Sequence, residues 1–457
     1  MCRTILLSVV LAVVAVGVAQ PQTCRVRVAG GQVVSEGLKP IDTLSWDDTF
    51  QLTTVGGVEC FAADRQNSWL RMRLDPAWPQ DATGPATIGI RYLDNKAAGG
   101  GGPVVMQYDS SDPTRMVGGA WAWTPPVWRQ GSGKWVTNYR TIEKPGFRGR
   151  ELGADFGITG MTNRRWDTLY VAEVTVTRAG VLLSADVRGL ALGDQQPAKI
   201  AAEVIAPDGS PAPDGTEVRF DAILGRCDPP QTVTEDGAAT TSFIPAGQEG
   251  EAIIQATTDF SAGELRLPLV QGTGGVTEIE WTVADFEAEN AGEVTRAYMA
   301  GGVTGSVEVT AEAAHAGTMG AAITYAREPD PDWFNAGVEL EPQIPGALLG
   351  LSFWAKTTEP NVELRWAIMD AGDEHWNYYA PVLETGADGW RRYGSSTVDS
   401  YFPNRDAVLD YPLTFHSVYV TRQPWSKAEK GTLFVEDIVA RLLVANSEAD
   451  RLRRPAP

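Results

Sequence analysis

Apolar residues in this chain alternate with polar ones far more often than they recur at every third or fourth position. Trp69 to Leu74 (WLRMRL) and Thr87 to Leu93 (TIGIRYL) are clear cases. Period-two alternation puts one set of side chains on each face of an extended strand. The strand-like segments are separated by clusters of Gly, Pro and Asp that supply turn geometry. Long runs at helical spacing are scarce. One string occurs twice, as TLYVAEV at Thr168 to Val174 and TLFVEDI at Thr432 to Ile438. Each copy closes a β-rich stretch the size of a domain, so two related modules are expected to flank a third. The expected fold is all-β, with three β-sandwich domains in tandem.

The length of 457 residues agrees with that count at about 100–200 residues per domain. The first module is read over 24–178. The glycine run at Gly99 to Gly102 is expected to be a flexible hairpin loop, because a phosphate loop would be followed by Lys-Ser/Thr and a helix. The middle module is read over 179–271, where Trp is absent and strands are short. GTGGV at Gly272 to Val276 is a linker, and the third module runs over 277–445. The charged tail, 446–457, is read as loose or as a short helix.

The first residues change the picture of where the chain works. Arg3 precedes an apolar run from Ile5 to Ala19, and Gly17-Val18-Ala19 offers a small-residue cleavage site. The run is too short to span a bilayer, so 1–19 is read as a secretory signal peptide, with the mature chain extracellular, at the cell surface or periplasmic. A net charge of −20 repels phosphate backbones and argues against nucleic-acid partners. No later segment is expected to cross a membrane. Cys24 and Cys60 fall in one module and are a candidate disulfide in an oxidising compartment; the alternative is that they, like Cys227, are small buried apolar residues.

Three sets of residues carry resemblances. In the first module IGIRYLD with VVMQYD, the GKW entry at Gly133 to Trp135, GADFGI at Gly153 to Ile158 and TLYVAEVTV resemble the galactose-binding-like sandwiches of exported bacterial proteins. In the middle module KIAAEVI, the turn PDGSPAPDG, TEVRFDA, TEDGAATTSFI and EAIIQATT resemble bacterial Ig-like domains of the invasin/intimin type, which implies a spacer. In the third module ADFEAEN, LLGLSFWAKT, VELRWAIMD, GWRRY and TLFVEDIVA resemble the jelly-roll carbohydrate-binding modules of polysaccharide-degrading enzymes. These resemblances imply the order jelly roll, Ig-like, jelly roll, with a polysaccharide or surface glycan as partner. They also imply a structural calcium joining the opening acidic strand to the closing one. The matching residues are Glu287 with Asp437, and in the first module Asp48 and Glu173; the alternative is ordinary surface acids.

Sugar sites set exposed rings against the C–H face of a pyranose, with polar groups on its hydroxyls. Alternation makes Leu349, Leu351 and Phe353 core and turns Trp354 outward. It makes Leu364, Trp366 and Ile368 core and turns Arg365 outward. On HWNYY, Trp376 shares a face with Tyr378, and Tyr379 with Asn377, and alternation alone does not choose between the two faces. Trp354, Arg365 and Tyr379 are therefore expected in one patch, unless they cover a loop or a neighbouring module. Trp121 and Trp123 share a face, which is either core or a stacking platform.

Catalysis finds little support. The three histidines sit in no HExxH, G-x-S-x-G or His/Cys arrangement, and no catalytic cofactor is expected. TEIEW at Thr277 to Trp281 is read as solvated surface and DAGDEH at Asp370 to His375 as a hairpin turn. The expected function is a secreted, non-catalytic protein that binds carbohydrate through its outer sandwiches. The alternatives are a cell-surface adhesion protein with protein partners and a glycoside hydrolase, which would need only two carboxylates.

Overall fold

The computed structural model describes residues 23–41, 50–63, 69–76, 78, 84–95, 103–113, 115, 120–150, 152–160, 168–288, 291–327, 334–359, 362–397, 400–401, 409–422 and 430–453. The signal segment, the run at Gly99 to Gly102 and Asp48 lie outside these residues. The fold is almost entirely β, with 63% strand and 4% helix. Six sheets pack as three pairs, and each pair encloses its own apolar cluster.

In the first pair one sheet has the order Trp135–Ile142, Ala86–Leu93, Leu169–Thr177, Thr23–Ala29, Gln32–Glu36. The facing sheet has Val127–Trp128, Pro103–Tyr108, Phe156–Thr159, Leu70–Leu74, Leu38–Pro40, and Ala122–Trp123 pairs with Pro103–Tyr108. Met72, Ile88, Phe156 and Val174 meet between them. The middle pair has a four-stranded and a five-stranded sheet. In the latter Leu190–Ala191 runs parallel to Ala262–Val270, and Val204, Phe220, Phe243 and Ile254 fill the core.

The third pair repeats the plan of the first. One sheet has Val303–Thr310, Gly320–Arg327, Lys430–Ala445, Ala347–Thr357, Arg391–Ser396, Val382–Thr385, and Val276–Ala284 also pairs with Lys430–Ala445. The other has Arg296–Ala300, Asn335–Glu339, Leu413–Arg422, Val362–Met369, His375–Tyr379, Ser400–Tyr401. Ile323, Phe353, Trp366, Val418 and Val435 form its core. The segment TEIEW is thus the opening strand of this sandwich, with Glu278 and Glu280 exposed.

The two closing strands match beyond their letters. From Leu169 and from Leu433 the burial sequence is the same over eight residues, and in both the second and third buried positions are adjacent. Adjacent buried residues break strict alternation, and both strands carry a register shift there. This is the mark of a β-bulge, in which one extra residue reorients the strand. The pairing skips Ala172 in one copy and runs past Asp437 and Ile438, next to the buried Glu436, in the other, and Asp437 takes a left-handed backbone with φ 50°.

The three sandwiches are tied together. Ser261 Oγ lies 2.7 Å from Thr87 Oγ1 and 3.0 Å from Thr141 Oγ1. Ala191 and Val270 pack with Ala347, Leu443 and Ala445. The linker glycines are held as well: Asp194 accepts the amides of Gly274 (2.8 Å) and Gly275 (2.7 Å). After the last strand the helix Asn446–Leu452 buries Ala449 against the third core.

Candidate ligand-binding faces and the cleft between them

The outer face of the second sheet of the third sandwich carries a row that crosses five strands. Its register is Tyr298, Gly337, Tyr419, Arg365, Tyr379. The neighbours Val338, Val418, Val420, Leu364, Trp366 and Tyr378 point into the core, which sends the row outward. Gly337 is bare because a Cβ there would collide with the carbonyl of Val418 and lie 2.5 Å from Tyr419 Cβ. The gap lets the Tyr419 ring approach Tyr298, edge to face at 5.4 Å. Tyr298 meets His416 at 5.1 Å, and His416 meets His375 at 4.7 Å. Tyr419 donates its hydroxyl to Asn377 Oδ1 at 2.8 Å, and Arg365 bonds to Glu363. Burial, reinforced by His375, pushes the His416 imidazole down to about 4, so this face is neutral at His416 at ordinary pH.

The related face of the first sandwich carries a shorter row, Arg71, Gly157, Gln107, Trp123. Arg71 lies over the Trp69 ring at 5.1 Å, and Trp69 meets Trp123 edge to face at 5.7 Å. Trp121 and Trp123 therefore lie on an outer face, while Ala122 between them enters the core. Tyr379 and Trp121 pack against Trp69, Val105 and Trp123. The two sandwiches thus meet at the aromatic margin of equivalent faces.

Beside this contact lies a cleft of about 890 Å³ shared by all three sandwiches. The first contributes Tyr108, Trp123, Trp128 and Arg140, the middle Leu183, Glu251 and Arg266, and the third Leu349, Trp376 and Tyr411. Arg266 bridges Glu251 (2.6 Å) and Glu264 (3.0 Å).

The structure separates residues expected together. Trp354 and Arg365 are outward-facing, as alternation implied, but they stand on opposite sheets, so Trp354, Arg365 and Tyr379 share no patch. Trp354 is covered by its own sandwich: His315 stacks on it at 4.1 Å, and a Cβ on Gly386 would lie 2.9 Å from its ring. Trp376 is 4% exposed and belongs to the core. Its indole N–H donates to Asp370 at 3.0 Å, and Asp370 also accepts the amides of Gly372 and Glu374 inside the hairpin turn.

Of the two expected calcium ligands in the third sandwich, Glu287 is engaged by hydrogen-bond donors. Glu287 accepts the Thr318 and Met319 amides (2.6 and 2.9 Å) and the Thr318 hydroxyl, and these bonds hold its carboxyl below the usual range. Glu436, 1% exposed, accepts the amides of His315, Ala316 (2.8 Å) and Gly317 (2.7 Å). Gly317 is required there, since a Cβ would collide with Glu287 and lie 2.8 Å from Glu436 Oε1. Burial, then Glu436 and Asp285, push the Asp437 carboxyl up. Amide donors thus meet Glu287 and Glu436 but not Asp437, and the described residues hold no group of three metal-ligating side chains. Glu173 faces Arg25 at 3.7 Å instead.

Cys24, Cys60 and Cys227 are separate buried thiols. Cys24 pairs with Val176, whereas Phe61, next to Cys60, pairs with Val171 on the same edge of that strand. Four residues at about 3.3 Å each separate the two levels by about 13 Å, beyond the reach of a disulfide. Burial pushes the Cys24 thiol up to about 11.

Tyr298, Tyr419, His416 and Glu436 were not singled out from sequence. Alternation in FHSVYVTR marks Tyr419 as outward once Val418 and Val420 are core. Nothing in the sequence marks Glu436, because its burial depends on the bulge.

No protein-family model matches the chain, and no curated protein matches it. Solved structures with a similar fold include the family 11 carbohydrate-binding module of the cellulosomal cellulase Lic26A-Cel5E of Clostridium thermocellum, at 17% identity over 35% of this chain and 94% of that one, TM-score 0.26. A carbohydrate-binding module described for specific mannan recognition matches at 12% identity over 37% and 99%, TM-score 0.25. The D0-D1 domain of intimin matches at 15% identity over 48% and 85%, TM-score 0.20. The resemblances expected from the strand motifs, to carbohydrate-binding modules and to intimin-type domains, recur among these structures at low identity. Among the described residues no helix is long and apolar enough to cross a membrane.

Proposed function

We propose that this chain is an exported, non-catalytic carbohydrate-binding protein, and that each pair of sheets is a domain. The observation that carries the reading is the outer row Tyr298, Arg365 and Tyr379 over a buried Tyr419, with His375, His416 and Asn377 beside it. Aromatic rings interleaved with fixed hydrogen-bonding groups on one sheet face suit a pyranose chain, which offers apolar faces and hydroxyl edges together. The middle sandwich holds the outer two in a fixed relation, and two linked weak sites on a polymer gain avidity. The test is a glycan array on the mature chain, followed by titration of any hit against Arg365→Ala. Binding that weakens about tenfold in the variant, which is 1.4 kcal/mol, supports the assignment; a folded protein that binds no glycan refutes it.

A second reading is adhesion through protein contacts. It is favoured by one observation: Tyr379 is already packed on Trp69 and Trp123, so part of this aromatic surface joins sandwich to sandwich. A hydrolase would require release of reducing ends from a bound polysaccharide, which a reducing-sugar assay on the same array hits decides.

A further inference from the structure

The charges of the three-sandwich cleft do not balance locally. Its acids are mostly committed: Asp112 to Lys144 (2.9 Å), Glu251 and Glu264 to Arg266, and Glu278 to Arg188 (3.6 Å) and Arg441 (3.7 Å). Arg140 also lines the cleft, and its Nε is sealed from solvent with no hydrogen-bond partner among the described residues. The indole N–H of Trp128, on the facing sheet of the same sandwich, is likewise buried without a partner among the described residues. A buried donor left unpaired costs about 1–3 kcal/mol, more when charged. Both residues line one open volume of about 890 Å³, but these two donor atoms are covered by protein, so a ligand's acceptors reach them only after local side-chain adjustment. Basic side chains outnumber acidic ones in this lining, in a chain that carries 58 acidic against 38 basic residues overall. Burial, with Arg266 nearby, disfavours the charge on Arg140 and Glu264 only partly restores it; an anion would complete the balance.

We propose that this cleft is a second binding site, distinct from the sheet face, for an acidic saccharide. The carboxylate of a uronic-acid residue pairs with Arg140, and the sugar accepts a hydrogen bond from the Trp128 indole while the rims of Trp123 and Tyr108 enclose it. A carboxylate meets a guanidinium with two parallel bonds, and a volume of this size holds two or three pyranose units. The inference rests on the carbohydrate reading but not on the residues of the sheet face.

The test is titration calorimetry of the full chain with trigalacturonate and a hyaluronan tetrasaccharide, each beside its carboxyl-reduced form. The expected result is binding of at least one acidic sugar, at least tenfold weaker for its reduced form, and at least tenfold weaker for Arg140→Met. Trp128→Phe keeps the ring and removes the N–H, and is expected to weaken binding several-fold. Should Arg140→Met fail to fold, the Trp128→Phe result and a fall in wild-type affinity with added salt carry the test. The proposal is overturned if no acidic sugar binds, if acidic and reduced forms bind alike, or if Arg140→Met binds as the wild type does. Loss of binding in Arg365→Ala but not in Arg140→Met would place the sugar on the sheet face, sparing the function and refuting this site.

Discussion

Single residues set the chemistry of the third sandwich by what they are denied as much as by what they reach. Glu436 is a carboxylate in a core position, tolerable because three backbone amides converge on it. Replacing it by Ala strands those donors, and at about 1 kcal/mol or more for each the third sandwich should lose about 3 kcal/mol in chemical denaturation. Glu436→Gln should lose less. His416 gives a pH signature. Its folded-state pKa of about 4 lies below the unfolded value of 6.5, so the unfolded chain takes up the proton first. The stability it supports is complete above pH 6.5 and is lost as pH falls towards 4. Denaturation midpoints compared at pH 7.5 and 4.5 should fall further in the wild type than in His416→Gln. The difference should be on the order of 2 kcal/mol, discounted for partial exposure.

At the scale of strands, the repeated string is a bulged closing strand, and the bulge explains both what the sequence revealed and what it hid. Alternation sorted Trp354 and Arg365 outward and Trp366 inward correctly, because a strand has only two faces. It could not assign them to sheets, because which strands share a sheet is decided by pairings across long stretches of chain. Trp376 and Tyr379 were left open for the same reason: a five-residue strand reads alike in either register, and Asp370 in the turn settled it by anchoring the Trp376 indole. An acid in a sequence does not show whether amides or a cation will meet it, and at Glu287 the amides of Thr318 and Met319 do. The bulge itself is testable. Deleting Asp437 removes one of the two residues that together oppose a single position of the neighbouring strand and puts the two halves of the closing strand out of phase with the core, so near-UV circular dichroism of the third sandwich should collapse. Deleting Thr304, on an exposed edge strand, should not have this effect.

Across the whole molecule, two related sandwiches are turned so that equivalent faces touch at Tyr379, Trp69 and Trp123, with the middle sandwich bracing both. The contact is one partly buried tyrosine packed on the Trp69, Val105 and Trp123 cluster, so it is modest and other ties share the load. Tyr379→Ala should therefore loosen the arrangement without unfolding it, seen as a larger radius of gyration in small-angle scattering with an unchanged far-UV spectrum. The central claim is that the row through Tyr298 is a sugar-binding face and that the opposite outer face, at Trp354, is not. It is tested most directly by titrating one polysaccharide hit against Tyr298→Ala and Trp354→Ala. Binding is expected to be at least tenfold weaker for Tyr298→Ala and of wild-type affinity for Trp354→Ala; wild-type affinity in Tyr298→Ala, or loss confined to Trp354→Ala, would overturn the assignment.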